Sequence, residues 1–225
     1  MYNPALKNGM YTGIDVRISS QKVKILLDKA VEFMTTTKDP GHGIEHVNNL
    51  LRETNRFFKS TGDKFNIDRE VMLLALYWHD VWKSQIRPNW GNYLFLQLYD
   101  GLGSMFMFKK YARIVNLSPE LIQAVSYAIR KHSAVQGIPA KTLEAQLLWD
   151  VDTLDIWNMQ RARITFRDLG WINISAFDSY IRYMKKAGFH LYFEWTRNEV
   201  RKMAPVFFEE MAKFRASLLK GNRGS

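Results

Sequence analysis

The sequence predicts an all-α protein that forms a single irregular helical bundle. Apolar residues recur at helical spacing along most of the 225-residue chain, whereas strand-like alternation is nearly absent. The length suffices for one buried core and does not require a second domain. Apolar residues make up 47% and aromatic residues 14% of the chain, which is typical of a globular protein. We expect an N-terminal extension at 1–18, a helical domain at 19–219 and a basic flexible tail at 220–225.

Capping residues and chain breakers place the first three helices. Ser19 and Ser20 can cap a helix that carries one apolar face. That face consists of Val23, Leu26, Leu27, Ala30 and Phe33. A break at residues 40–41 precedes a second helix at about 43–59. After a turn near 61–66, Asp68 can cap a third helix that runs to His79 and Asp80.

The second half of the chain continues the helical pattern, with loops at Pro88 and at residues 137–139. Ser118 and Pro119 suit the cap and the first turn of one of these helices. The predicted ranges are 91–116, 118–133, 141–158, 160–168, 175–187 and 191–219. The sequence contains no internal repeat and no low-complexity segment, so a single bundle accounts for all of these helices.

Composition limits the location and the partners of the protein. Without cysteine there is no disulfide framework and no thiolate metal site. The longest apolar run, residues 71–78, is far shorter than the ~20 residues of a membrane-spanning helix, and the N-terminus lacks the pattern of a secretory signal. We therefore expect a cytoplasmic protein without a membrane partner. The net charge of +10 attracts anions, but the basic residues are scattered, which favours solvated helix faces and leaves nucleic-acid binding a weak option.

Residues 42–46 have the order H-x-x-E-H, which is the inverted zinc-peptidase motif. In such a site both histidines bind the metal from one regular helical turn. Here Pro40 and Gly41 place His42 at or before the start of the helix. We therefore expect His46 to be a metal ligand and Glu45 to face away. For His42, a position at the rim or the helix cap and a contact with substrate both stay open.

The third helix ends with His79 and Asp80 at the edge of its apolar face. A carboxylate placed there is costly to bury unless a cation compensates it. The adjacent pair offers a metal one imidazole nitrogen and one carboxylate oxygen, and Lys83 follows three residues later. The alternative is a C-terminal histidine that interacts with the helix dipole, followed by an aspartate in a turn.

Three acids lie within six residues of an otherwise apolar helix, at Asp150, Asp152 and Asp155. Carboxylates this close repel one another unless a proton or a cation lies among them. A solvated acidic face is the alternative, but Trp149 and Trp157 leave little of this helix to face water. Asp150 lies about 200° around the helix from Asp152, so the two should not reach the same ion.

The segments EHVNNL, YWHDVWK and DVDTLD, in this order, resemble the H…HD…D signature of the HD superfamily of metal-dependent phosphohydrolases. The resemblance covers roughly residues 38–160. It implies a helical bundle of the HD-domain type, and it implies that Asp150 and Asp155 do not bind the metal. The implied metal ligands are His46, His79, Asp80 and Asp152.

The resemblance also implies a reaction. One divalent ion, of Mn, Fe, Co, Ni, Mg or Zn, would activate water for hydrolysis of a nucleotide or another small phosphate ester. Asp80 is expected to orient the nucleophile, and Lys83 to stabilise developing charge. His132 is expected to contact substrate phosphate or to lie near the attacking water. For Lys83 the alternative is an exposed surface lysine, and for His132 a helix-end position near solvent.

Two features separate this chain from many members of the family. Only one further histidine, His132, lies between the HD pair and Asp152, so a full second metal site and an oxygenase activity are not expected. An aromatic-rich segment at 84–108 replaces an acidic stretch, which leaves the substrate class open. This segment and the last ~70 residues are expected to form a pocket wall or a homodimer surface. A non-catalytic HD fold that binds a phosphate ligand or a protein partner is the alternative function.

Overall fold

The computed structural model describes residues 20–89, 92–132, 139–164, 166, 174–186 and 190–221. Within these ranges the chain is all-α and forms no strand, as the sequence predicts. A short 3₁₀ turn, Gly62–Lys64, follows the second helix. The α-helices are α1 (Gln21–Thr35), α2 (Ile44–Thr61), α3 (Arg69–Trp78), α4 (Val81–Ser84), α5 (Tyr93–Ile114), α6 (Pro119–Lys131), α7 (Leu143–Ile156), α8 (Met159–Arg163), α9 (Ile174–Lys186) and α10 (Glu194–Gly221).

Most helices begin and end within a few residues of the predicted positions. The side chain of Asp68 accepts hydrogen bonds from two backbone N–H groups in the first turn of α3, and the Ser118 hydroxyl accepts one from Leu121 N–H in the first turn of α6. The single turn α4 was not predicted. The helix predicted at 160–168 appears as the shorter α8, and residues 165 and 167–173 lie outside the described residues, as does the predicted extension at 1–18.

Helices α3 and α7 form the centre of the bundle. Helix α3 packs against α1, α2, α5, α6 and α7, and α7 packs against α2, α3, α6, α8 and α10. Every residue from Val71 to Val81 is buried, because α3 is apolar on all sides. The polar residues that follow α3, and those within α7, therefore lie inside the protein and must find partners there.

The aromatic-rich segment and the C-terminal part occupy different places. Helix α5 turns Asp100, Ser104 and Phe108 inward, whereas five of its described large apolar side chains are exposed. These are Phe95, Leu98, Tyr99, Phe106 and Ile114. A separate apolar cluster joins the end of α7 to α8, α9 and α10. Across the described ranges, no helix has both the length and the apolar character needed to cross a bilayer.

Candidate metal centre

The four ligands implied by the motifs come together from three parts of the chain. His46 lies on α2, His79 and Asp80 follow α3, and Asp152 lies on α7. His46 Nε2 is 3.1 Å from His79 Nε2, 3.3 Å from Asp152 Oδ1 and 3.6 Å from Asp80 Oδ2. His79 Nε2 is 3.3 Å from the same oxygen of Asp80. The ligand atoms of His46, His79 and Asp152 therefore lie within 4.8 Å of one another, and Asp80 Oδ2 lies beside both histidines.

Hydrogen bonds to the other ring nitrogens orient the histidines. The Nδ1–H of His46 donates to Asp155 Oδ2 at 2.7 Å. Two further histidines donate to backbone carbonyls: His79 Nδ1–H to Leu76 at 2.9 Å, and His132 Nδ1–H to Ile129 at 2.6 Å. In a neutral ring with hydrogen on Nδ1, Nε2 carries the lone pair. In their neutral forms the Nε2 atoms of His46 and His79 face each other as two acceptors at 3.1 Å, an arrangement that either a proton or a metal ion between them would stabilise.

The carboxylates of the cluster also fit a metal ion. Oδ1 of Asp80 and Oδ1 of Asp152 are buried and accept no hydrogen bond from the described residues. Such atoms are costly to bury unless a cation compensates them. Nitrogen and oxygen ligands without sulfur suit a borderline or hard divalent ion. The buried histidine and aspartate side chains could therefore hold a metal.

The charges around the cluster favour a cation. Within the described part of the chain, five carboxylates face two permanent cations, Lys83 and Arg161, which leaves an excess of three negative charges before any histidine is protonated. The carboxylates belong to Asp39, Asp80, Asp100, Asp152 and Asp155. Burial lowers the pKa of His132, but its contact with Asp80 and the charge of Asp100 outweigh burial and raise that pKa to about 9. The cluster thus has a strongly negative potential.

His132 is buried, so a position near solvent is wrong for this residue. Its Nε2 lies 3.6 Å from Asp80 Oδ1, the oxygen that faces away from His46. His79, Asp80 and His132 form a second group of metal-type side chains whose ligand atoms lie within 4.8 Å of one another. The first such group consists of His46, His79 and Asp152, and because His79 belongs to both groups, the two form one continuous cluster.

Asp100 belongs to this cluster and was not anticipated from the sequence. Its Oδ2 lies 3.9 Å from His132 Nε2 and 3.5 Å from Lys83 Nζ. A Cβ built at Gly101 would lie only 2.9 Å from the Ile129 carbonyl oxygen, so glycine lets α5 approach α6 and brings Asp100 beside His132. The signal was a single acid followed by Gly101 in an otherwise aromatic helix.

Lys83 is also buried, so the alternative of an exposed surface lysine is wrong. Its ammonium group lies 3.3 Å from Gln97 Oε1, in addition to its ion pair with Asp100. Burial raises the pKa of the Asp80 carboxyl, but its neighbours His79 and Lys83 outweigh burial and hold that pKa well below the usual range. Lys83 thus helps to keep Asp80 ionised.

His42 lies at the border of the cluster. It precedes α2, whose N-cap is Gly43, so His42 does not cap that helix. Its Nδ1–H donates to Asp39 Oδ2 at 2.7 Å, and its Nε2 accepts from Arg161 at 2.8 Å and lies 3.8 Å from Asp80 Oδ2. Glu45 is exposed, as expected. The two histidines and Glu45 therefore do not form the arrangement of an inverted zinc peptidase.

Arg161 is the second site residue that sequence analysis missed. Asn158 caps α8, and this turn directs Arg161 back to α7. Its Nη1 donates to Asp155 Oδ2 at 2.9 Å and lies 3.5 Å from Asp152 Oδ1. The only sequence signal was an arginine six residues after Asp155.

Asp155 orients its neighbours instead of joining the two ligand groups. Its Oδ2 accepts from His46 and Arg161, and its Oδ1 accepts from Asn49 Nδ2 at 3.0 Å. Burial raises the pKa of Asp155, but these donors favour the ionised carboxylate and bring the pKa below its usual value. A carboxylate that holds the Nδ1–H of a ligand histidine in this way fixes the ring for metal binding.

Among the described residues, the partly exposed side chains of the cluster are neighbours of one another. The side chains of Asp152, Arg161 and His42 are 20%, 16% and 13% exposed, whereas those of His79 and Asp80 are 0% and 2% exposed. A small ligand would therefore approach past Arg161 and His42, with Asp80 at the inner end of its path.

Asp150 points away from the cluster, as helical geometry predicts. It accepts hydrogen bonds from the backbone N–H groups of Tyr192 and Phe193, each at 2.9 Å, and from the hydroxyl of Thr196. Burial raises the pKa of Asp150 to about 6 against the opposing effect of these donors, so the carboxyl is ionised at pH 7. Its role is to attach α7 to the start of α10.

Replacing His46 by alanine is expected to abolish metal binding, whereas His42→Ala should retain it. His46 Nε2 faces the other proposed ligand atoms, whereas Nε2 of His42 accepts a hydrogen bond from Arg161. Metal content after dialysis, measured by inductively coupled plasma mass spectrometry, compares the two variants. Loss of metal from His42→Ala together with its retention in His46→Ala would restore the peptidase interpretation.

A scan against protein-family models and searches of curated proteins and of solved structures gave no match to this chain. The resemblance to the HD superfamily therefore rests on the sequence motifs alone.

Proposed function

We propose that this protein is a metal-dependent phosphohydrolase that acts on a nucleotide or another small phosphate ester. The observation that supports this most directly is the convergence of the Nε2 lone pairs of His46 and His79 with the carboxylates of Asp80 and Asp152. These two nitrogen and two oxygen ligands suit a single divalent ion, namely Mn, Fe, Co, Ni, Mg or Zn. They would leave coordination positions open for water and substrate.

When bound, such an ion lowers the pKa of a water molecule and polarises a phosphoryl oxygen. Asp80 has a free acceptor at Oδ1 for this reaction, because no described residue donates a hydrogen bond to that buried atom. In the proposed mechanism Asp80 Oδ1 accepts a hydrogen bond from the attacking water and holds it in line with the phosphorus.

Arg161 and His42 contact the substrate in this proposal, because they line the open side of the cluster. A guanidinium group can bind two phosphate oxygens at once, and its charge is independent of pH near neutrality. Lys83 and His132 lie on the buried side next to Asp100 and supply positive charge that stabilises the transition state.

The purified protein is expected to contain close to one equivalent of a divalent metal, and EDTA should lower its melting temperature. Ligands from α2, α3 and α7 meet only in the folded state, so the metal stabilises that state. Saturation at about 100 times Kd contributes roughly 2.7 kcal/mol, or about 5–10 °C for a chain of this size. Added Mn, Ni or Co should restore the melting temperature. A metal-free protein with no thermal response to these ions would contradict the metal site.

The activity is tested by phosphate release from a panel of nucleotides and simple phosphate esters with metal-loaded protein. Release that depends on the metal supports the proposal. If the metal is bound but no member of the panel is hydrolysed, the alternative is favoured, namely a non-catalytic fold that binds a phosphate ligand or a protein partner.

A further inference from the structure

A cleft of about 650 Å³ lies between α5 and α6, and the residues of the metal cluster do not line it. Three basic side chains line the cleft, Lys109 and Arg113 from α5 and Arg130 from α6. Its lining contains no aspartate or glutamate. Within the described ranges, these three cations form no ion pair with a carboxylate. The cleft therefore presents concentrated positive charge that can attract an anion.

The rest of the wall is largely apolar. Met105 and Leu117 are buried, Ile122 is half-buried, and Tyr127 adds an aromatic ring. An inorganic anion would make no use of these surfaces, whereas an organic molecule would bury apolar area against them. The volume lies within the range of about 300–1,000 Å³ that small-molecule sites have.

A buried hydroxyl provides independent support for a ligand. Ser126 lines the same cleft and is only 3% exposed, and its Oγ has no hydrogen-bond partner among the described residues. Buried polar groups are nearly always paired, because an unpaired one is costly. A polar atom of a ligand seated in the cleft would give this hydroxyl its partner.

The cleft and the metal cluster lie on different sides of α6. His132 follows Ser126 by six residues, which is about 9 Å along the helix axis and about 240° around it. It follows Arg130 by two residues, or about 200°. A molecule bound by Ser126 and Arg130 is therefore distinct from one bound at the metal cluster.

We propose that this cleft binds an amphipathic organic anion. An aromatic or acyl body packs against Met105, Leu117 and Ile122, and a phosphate, sulfonate or carboxylate group lies among the three basic side chains. The Ser126 hydroxyl donates to a polar atom of the ligand or accepts from one. This site is independent of the proposed hydrolase activity.

Anilinonaphthalene sulfonate is a suitable probe, because it joins an aromatic body to a sulfonate that a phosphohydrolase cannot cleave. Isothermal titration calorimetry on the purified protein should show saturable binding of one molecule per chain, with the same affinity before and after EDTA treatment. Failure to saturate overturns the proposal. Loss of binding in EDTA also overturns it, since the probe would then lie at the metal.

Adjacent lysines on α5 provide a matched pair of variants. Lys109 lines the cleft, whereas Lys110 is exposed and does not. Lys109→Glu should weaken binding of the probe at least tenfold, and Lys110→Glu should change it less than twofold. Equal effects of the two substitutions would mean that net charge alone attracts the probe, which rejects a built site.

Ser126→Ala separates a ligand contact from a structural role. Because the hydroxyl is unpaired in the described structure, its removal should leave the melting temperature unchanged or raise it. Probe binding should weaken about threefold or more. A lower melting temperature with unchanged binding would show that the hydroxyl serves the fold, and would contradict its proposed contact with a ligand.

Discussion

Asp152→Asn is expected to lose both the bound metal and the phosphate release, with activity falling about 10³-fold or more. The side chain supplies one of the converging carboxylates, and its Oδ1 lies 3.3 Å from His46 Nε2. Burial raises its pKa, but His46 and the charge of Arg161 outweigh burial, so the carboxyl of Asp152 is ionised and available to a cation. An amide of the same shape keeps the packing but removes that charge.

Asp155→Asn is the matched control, three residues along the same helix. Asp155 holds the His46 ring through Nδ1 and does not join either ligand group. The variant should therefore retain metal, with an affinity about 10–100-fold weaker, and turn over more slowly. Metal content and initial rates of phosphate release on both variants decide between these roles. An Asp152→Asn protein that binds metal and turns over normally would falsify the proposed site.

Asp150→Asn is expected to lower the stability of the fold and to leave the metal in place. The carboxylate of Asp150 accepts from three donors, two of them backbone N–H groups at the start of α10. An asparagine would turn its own NH₂ group toward one of those donors, so a buried N–H would lose its acceptor. The expected loss is roughly 2–3 kcal/mol, or about 4–12 °C in melting temperature.

Thr196→Val provides the control for this prediction. It removes one donor to Asp150 but leaves both backbone hydrogen bonds, so its cost should be about 1 kcal/mol. Thermal unfolding and metal content are measured on both variants and on the parent protein. If Asp150→Asn loses its metal at unchanged stability, this residue belongs to the metal centre and its assignment to the fold is wrong.

Local rules explain why the sequence predicted the helices and singled out side chains that the structure brings together. Helical periodicity and capping depend on residues within a few positions of one another, so Asp68 and Ser118 indicated where α3 and α6 begin. The acids at 150, 152 and 155 were found in the same way, because burying charge in an apolar helix is costly wherever the helix packs. Their helical spacing also separated Asp150 from Asp152 before any contact was known.

The tertiary structure alone decided which further side chains join the cluster. Asp100 reaches His132 because glycine at position 101 allows two helices to approach closely, and that approach depends on residues about thirty positions apart. Arg161 reaches Asp155 and His42 because α8, which Asn158 caps, packs against α7. The burial of Lys83 and His132 likewise depends on α5 and α6. A single sequence without these contacts cannot distinguish a buried lysine or histidine from an exposed one, because the energetic cost of burial is offset by partners that are distant along the chain.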